Sequence, residues 1–121
     1  MKAKKVKIGV KSIEDALSDA KDAMKKIERG EKVKKKVGVY FTSFETFRKA
    51  LTPKRLELLH TVKIDNPKSI NELARLLKRD IKNVADDLKY LIQIGLVEKE
   101  TQAREIRPSI RYDSISFEIA I

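Results

Sequence analysis

The stretch SINELARLLKRDIKNVADDLKYLIQIG, residues 69–95, predicts two helices joined by a tight turn. Ser69 and Glu72 fit the S-x-x-E capping box that marks the start of the first helix. Asp80 is suited to cap the second helix, and Gly95 is suited to end it. Apolar residues recur at three- and four-residue spacing through both helices, so each helix should direct one face toward a core. Two helices with so short a connection are typical of a helix-turn-helix unit.

A further helix is predicted before this pair. Thr52 suits an N-cap and Pro53 suits the first helical position. The Asn66-Pro67 pair should end the helix, because proline cannot continue it. Three helices would therefore follow one another in the chain, the last of them over residues 81–94.

A hairpin is predicted after the third helix. Residues 96–100 (LVEKE) and 110–112 are expected as its strands, and TQAREIRPS, residues 101–109, as the loop between them. Three helices followed by a basic hairpin are typical of a winged helix-turn-helix, in which the hairpin is the wing. We therefore expect that arrangement here, with a basic wing at residues 101–109.

The N-terminal part predicts a strand, a helix and a second strand. Residues 4–10 alternate between polar and apolar side chains, residues 12–29 have helical periodicity, and residues 37–41 (VGVYF) are strand-like. This order favours a parallel pair of strands with a right-handed crossover. Residues 114–121 (SISFEIAI) also alternate and should form a C-terminal strand tied into a sheet.

The predicted fold class is α+β: a winged helix-turn-helix with an N-terminal strand–helix–strand unit and a C-terminal strand completing a small sheet. We expect two domains, residues 1–42 and residues 43–121. The helix at residues 12–29 has an alanine-rich apolar stripe, for which the chain's own sheet is the expected cover. The alternative is an interface for a dimer mate or another protein. The stripe consists of Ile13, Ala16, Leu17, Ala20, Ala23, Met24 and Ile27.

The charge balance points to a polyanionic partner. The 121 residues carry a formal net charge of +10, and residues 1–36 hold 13 Lys/Arg against 6 Asp/Glu. Nucleic acid is the commonest polyanion, whereas the alternative is a solvated lysine-rich surface. No apolar run approaches the roughly 20 residues that span a bilayer. With no cysteine and no secretory signal pattern, we expect a cytoplasmic protein without a membrane partner.

Several stretches together resemble a known family. TPKRLELL, SINELARLL, DLKYLIQIGLVE and then RPSIRYD before a terminal alternating strand are similar to small archaeal predicted transcriptional regulators of the MarR-like winged-helix type. YFTSFETFRKAL is similar to the linker helix of that family, and the resemblance covers residues 37–121. It implies sequence-specific binding of double-stranded DNA by residues 43–121.

The resemblance also bears on partners. A homodimer is expected, because one winged helix reads few base pairs and two half-sites multiply specificity. Several regulators of this kind are encoded beside a toxin-like protein. The alternative function is therefore an antitoxin-like or other partner-binding module that uses residues 1–42, with their amphipathic helix, as the partner surface.

The predicted recognition helix, residues 81–94, has a polar side opposite its apolar side. Advancing 100° per residue places four side chains near the direction in which a major groove would lie. These base-readout candidates are Lys82, Asn83, Asp86 and Tyr90. Asparagine can bond adenine in bidentate fashion. The candidates for phosphate contact are Lys68, Lys78, Arg79, Lys89, Arg104, Arg107 and Arg111.

Two adjacent acids on this helix require an explanation. Asp87 falls on the flank, where we expect it to pair with Arg75 or Arg55 rather than to meet phosphate. Asp86 faces outward at a position that is often basic in the family. It pairs along the helix with Lys82 and Lys89, or accepts from a cytosine amino group, or repels DNA and leaves the protein to act through protein contacts.

Catalysis is not expected. His60 is the single histidine, and the sequence contains neither a glycine-rich phosphate loop nor a spaced set of metal ligands. We therefore predict no enzyme activity, no metal and no cofactor. The sequence does not exclude a ligand pocket at a dimer interface, because apolar pockets leave little trace in a sequence.

Overall fold

The computed structural model describes residues 5–32, 38–102 and 104–119. These residues contain five helices and five strands. The three helices predicted for the winged helix-turn-helix follow one another along the chain, with no strand between them. None of these helices has the length and apolar character needed to cross a membrane. The elements are β1 (Lys5–Val10), α1 (Ile13–Glu28), β2 (Gly38–Phe41), α2 (Phe44–Ala50), α3 (Pro53–Asp65), α4 (Ile70–Leu77), α5 (Ile81–Gln93), β3 (Glu98–Gln102), β4 (Glu105–Ser109) and β5 (Ser114–Ile119).

The chain divides into two compact units. Residues 51–114 form one, and the described parts of residues 5–50 and 115–119 form the other. The predicted α+β class, with a winged helix-turn-helix and a small sheet completed by the C-terminal strand, is confirmed. The observed division differs from the predicted boundary at residues 42 and 43, because α2 and β5 belong with the N-terminal strands.

The helices α3, α4 and α5 pack around a core of aliphatic side chains. Local capping sets their ends: the Thr52 hydroxyl accepts from the Arg55 backbone N–H at 3.2 Å, and the Ser69 hydroxyl accepts from that of Glu72 at 3.1 Å. The Glu72 carboxylate accepts from the Lys68 N–H, one residue before the cap. The predicted helix starts are therefore confirmed. The fully buried leucine and valine side chains of this core are Leu58, Val62, Leu73, Val84, Leu88, Leu91 and Leu96.

A three-residue turn connects α4 to α5. Lys78 ends α4 with φ 54° and ψ 44°, a left-handed backbone that side chains with a Cβ rarely adopt. The Arg79 N–H donates to the Ala74 carbonyl at 3.1 Å, and the Asp80 side chain accepts from the Lys82 N–H at 3.4 Å. These contacts cap the end of α4 and the start of α5 within the three-residue turn, so the angle between the two helices is fixed.

The wing differs from its prediction. β3 and β4 are antiparallel, with Glu100 opposite Arg107 and Thr101 opposite Ile106. Residues 101–102 and 105–109, predicted as loop, are therefore strand, whereas residues 110–112, predicted as strand, are not. The first strand begins two residues later than predicted, at Glu98. A two-stranded ribbon without a continuous apolar face lacks the alternation on which the prediction depended.

The other unit is built on a three-stranded sheet of order β2–β1–β5. β1 and β2 are parallel, with Ile8 opposite Val39, as predicted. One face of the sheet meets α2 through an aromatic cluster, in which the rings of Phe47 and Phe117 stack at 4.2 Å. The cluster consists of Phe41, Phe44, Phe47 and Phe117. Lys4, Val37, Ala120 and Ile121 of the predicted strands, and Ala103 of the predicted wing, lie outside the described residues.

The helix α1 is capped by Ser12, as predicted, but its apolar stripe is not covered. No residue of α1 is buried, and the large apolar side chains remain more than half exposed. The expectation that the chain's own sheet would cover this stripe is therefore wrong for the described residues. The exposed fractions are 65% for Ile13, 59% for Leu17, 63% for Met24 and 63% for Ile27.

Candidate nucleic-acid interface

The helix α5, predicted as the recognition helix, has the two faces that the sequence predicts. Val84, Leu88 and Leu91 are buried against the other helices. Lys82, Asn83, Asp86 and Lys89 are exposed on the opposite side. An anchored helix with an exposed polar face is the element that a major groove accepts.

Asp87 lies between two arginines on the flank of α5. Its Oδ1 accepts from Arg55 Nε at 3.1 Å, and its Oδ2 accepts from Arg79 Nη2 at 2.7 Å. All three side chains are less than a quarter exposed. The expected pairing with Arg55 is confirmed, whereas the second partner is Arg79 and not Arg75. The pairs link α3 and the turn to α5.

Electrostatics hold Asp87 ionised. Burial raises its pKa, but the hydrogen bonds from Arg79 and Arg55 outweigh burial and leave the pKa below its ordinary value. Arg79 Nη1 is buried and has no hydrogen-bond partner among the described residues. The Asp87 carboxylate is therefore the group that compensates the charge of Arg79 in this partly buried site.

Tyr90 is less accessible than the other predicted readout residues. The Arg55 guanidinium carbon lies 4.3 Å above the centroid of its ring, in cation–π geometry. Arg55 thus contacts Asp87 and Tyr90 on successive turns of α5. Sequence reasoning proposed Arg55 as one of two partners for Asp87 but missed its contact with Tyr90, because only the crossing of α3 and α5 brings these residues together.

Asp86 does not make the pairing along the helix that is one of the three explanations for it. Among the described residues it forms no ion pair with Lys82 or Lys89, although all three side chains are exposed on α5. Asp86 is exposed to solvent on the polar side of α5. The two remaining explanations, acceptance from a cytosine amino group and repulsion of DNA, both require this outward position.

The predicted phosphate contacts fall into two groups. Lys68, Lys78 and Lys89 are exposed around α4 and α5. Arg79 instead directs its guanidinium at Asp87, with only 17% of the side chain exposed. The structure thus separates cations that can reach an external phosphate from one that is occupied within the unit.

A shallow groove lies beside the turn, on the outer side of α4. Arg75 and Asn71 are exposed there; the sequence indicates Arg75 only as a partner for Asp87 and indicates no role for Asn71. Asn71 and Arg75 are four residues apart and therefore share one face of α4, and this spacing is the signal in the sequence that could have found them. The lining residues are Asn71, Ala74, Arg75, Lys78, Arg79 and Ile81.

The wing is less basic than its prediction. Residues 98–109 hold three basic and three acidic side chains. Arg107 lies directly opposite Glu100, and Arg111 Nε pairs with Glu98 Oε2 at 2.8 Å. Arg104 is exposed at the turn. Among the described residues of the wing, Arg104 at the tip and Lys99, which lies opposite Pro108, are therefore the cations that no acid faces across the ribbon.

Tyr112 and Asp113, which follow the wing, contact Leu96 after α5 and Lys63 of α3. The Tyr112 hydroxyl donates to the Leu96 carbonyl at 2.6 Å, and burial raises the pKa of Tyr112 to about 12. Lys63 on α3 pairs with Asp113 at 3.2 Å. These contacts fix the base of the hairpin, so the position of the tip depends on the ribbon alone. Within the described residues, no group of three His, Cys, Asp or Glu side chains could hold a metal ion.

Three consecutive helices with a tight turn before the last, followed by a two-stranded wing, define a winged helix-turn-helix protein. Residues 50–117 match the model of the HVO_A0114 family. The chain belongs to the HVO_A0114 family. A search of curated protein sequences finds no significant match.

Two solved structures are similar to the chain over 84% of its length. One is the multiple antibiotic-resistance repressor MarR from Listeria monocytogenes, at 16% identity and a TM-score of 0.46. The other is a MarR-like transcriptional regulator from Thermotoga maritima, at 18% identity and a TM-score of 0.46. The chain covers 65% and 66% of these structures, slightly less than two thirds of their length.

Proposed function

We propose that the protein is a sequence-specific double-stranded DNA-binding transcriptional regulator that acts as a cytoplasmic homodimer. The observation that carries the proposal is the exposed polar face of α5 on a helix anchored at its flank by Arg55 and Arg79. A helix held in this way can enter a major groove without reorganising, so that contacts to bases are not offset by a cost of ordering.

Base readout is assigned to the outward face of α5. Asn83 is the specificity residue, because its amide can donate to and accept from adenine at once. Lys82 contacts guanine or an adjacent phosphate, and Asp86 accepts from a cytosine amino group. Tyr90 makes a secondary contact at the edge of this face, since Arg55 covers one side of its ring.

Phosphate contact is assigned to exposed cations around the helix-turn-helix and at the wing tip. Lys78 stands at the turn, Arg75 beside the groove and Lys89 on the second half of α5. Lys68 lies at the start of α4 and Arg104 at the wing tip, whereas Arg107 and Arg111 contribute less because acids lie opposite or beside them. Arg79 acts as a positioning residue for α5. Residues 51–114 hold 13 basic and 10 acidic side chains, so binding depends on where these cations lie rather than on their excess.

The decisive experiment is selection of bound duplexes from a random pool at physiological salt. We expect one enriched site with two-fold symmetry, as two recognition helices in a homodimer would select. Affinity for the selected site should fall steeply with salt concentration. Recovery of unenriched DNA, or of no DNA, would overturn the proposal.

Variants then test the assigned roles. Asn83→Ala should weaken the selected site by about 1–3 kcal/mol while affecting random duplex little. Lys78→Ala should weaken both duplexes alike and reduce the log–log salt slope by roughly 0.9. Lys32→Ala, which removes the same charge outside the winged unit, is the matched control and should leave both affinities unchanged. Equal losses on both duplexes for Asn83→Ala would refute the readout assignment.

A further inference from the structure

The apolar stripe of α1 is an exposed apolar surface on the unit that contains it. Ile13, Leu17, Met24 and Ile27 are each about 60% exposed, although they share one side of a regular helix. The helix is well formed, with Ser12 as its N-cap and Gly30, in the left-handed conformation, just after it. A contiguous exposed row of this kind marks an interaction site in a soluble protein.

The order of large and small residues along the stripe fits an antiparallel copy of the same helix. Ala20 lies midway between Ile13 and Ile27. In an antiparallel pair with a two-fold axis at Ala20, Ile13 of each copy therefore lies at the level of Ile27 of the other copy. Around the axis the stripe is small, with Ala16, Ala20 and Ala23 on one side. Small residues at a crossing let two helices approach closely.

The charges along α1 select the same orientation. The first turn is acidic, with Glu14 and Asp15, and the last turn is basic, with Lys25 and Lys26. Antiparallel pairing places each acidic turn beside the basic turn of the copy, whereas parallel pairing would place like charges together. These charges flank the stripe, and opposite charges at the same level favour the antiparallel orientation over the parallel one.

We propose that α1 pairs with α1 of a second copy of this chain, antiparallel about a two-fold axis at Ala20, and that this contact is a dimer interface. The proposal deepens the homodimer proposed above by naming its surface. Its experiments measure assembly without DNA, so that its failure is distinguishable from a failure to bind DNA.

The first experiment is sedimentation of the full chain and of Ala20→Arg over a range of concentrations. An arginine at the axis would meet its own copy, so the dimer dissociation constant should rise by about a hundredfold or more. Ser18→Arg is the matched control, because it adds the same charge about 200° around the helix. Circular dichroism should show both variants folded, since neither residue is buried in the chain.

The second experiment tests the orientation by cross-linking. The chain has no cysteine, so single substitutions give unambiguous products. A short thiol-reactive cross-linker should join Ala20→Cys to itself. It should join Ile13→Cys efficiently only to Ile27→Cys in a mixture of the two variants.

Three results would overturn the proposal. One is a chain that stays monomeric at all concentrations. Another is a dimer that Ala20→Arg weakens no more than Ser18→Arg does, which would place the interface elsewhere. The third is efficient cross-linking of Ile13→Cys to itself, which would indicate parallel pairing. A stripe that binds only a protein of another sequence would give the first result.

Discussion

Arg79 and Asp87 form an ion pair in which Nη2 donates to Oδ2 at 2.7 Å, linking the turn of the helix-turn-helix to the flank of α5, the proposed recognition helix. Arg79 is one residue before the N-cap of α5, and Asp87 lies on the second turn of that helix. The pair therefore fixes the rotation of α5 relative to the turn. That rotation decides which side chains α5 directs outward.

Asp87→Ala should destabilise the protein. Without the carboxylate, two partly buried guanidinium groups lose their counter-charge, and we expect a loss of about 2–3 kcal/mol in the free energy of unfolding. Urea denaturation measures it. Asp86→Ala, one residue earlier and exposed, is the control and should change the free energy by less than about 0.5 kcal/mol. Similar losses for both variants would mean that the Arg55–Asp87–Arg79 contacts contribute little.

Acid should remove the stabilisation that Asp87 provides. Because its pKa in the folded protein is lowered, the contribution is fully present above the ordinary carboxyl pKa of about 3.9 and is lost as pH falls through the lowered value. The difference in unfolding free energy between the natural chain and Asp87→Asn should therefore shrink below about pH 4. The measurement is urea denaturation at a series of pH values. A difference independent of pH would contradict it.

Lys78→Gly should stabilise the fold and weaken DNA binding. Glycine removes the cost of a Cβ at φ 54°, and the expected gain is about 1 kcal/mol. Lys78→Ala loses the same charge but keeps the Cβ, so it should not share the gain. Thermal unfolding separates the two variants, and both should lose the same DNA affinity. Equal stability of the two would show that the turn is not strained.

Tyr112 should make stability fall in alkali. Its folded pKa, about 12, lies above the ordinary value of 10.0, so its contribution is present below about pH 10 and is lost as pH rises through 12. Tyr112→Phe should lack this dependence and cost about 1 kcal/mol at neutral pH, because the Leu96 carbonyl loses its donor. Tyr40→Phe, in the other unit, is the control variant. If the unfolding free energy of Tyr112→Phe fell in alkali as much as that of the natural chain, the loss of stability would belong to other groups.

The helix starts could be predicted because capping is local. Ser12, Thr52, Ser69 and Asp80 each bond an N–H two or three residues ahead, so the signal lies within one turn of sequence. The wing could not be placed in the same way, since an exposed ribbon depends on pairing between strands rather than on an apolar face. The exposure of α5 followed from periodicity, but the engagement of Arg79 did not.

The sequence by itself determined the three consecutive helices, the parallel pair of N-terminal strands and the polar face of α5, because caps and periodicity act over a few residues. Only the tertiary structure decided that Arg79 turns inward to Asp87, that α2 and β5 join the N-terminal sheet, and that the stripe of α1 remains uncovered. Those outcomes depend on which distant segments meet. The amphipathic pattern of a helix predicts that one face is apolar, but it does not predict which segment packs against that face.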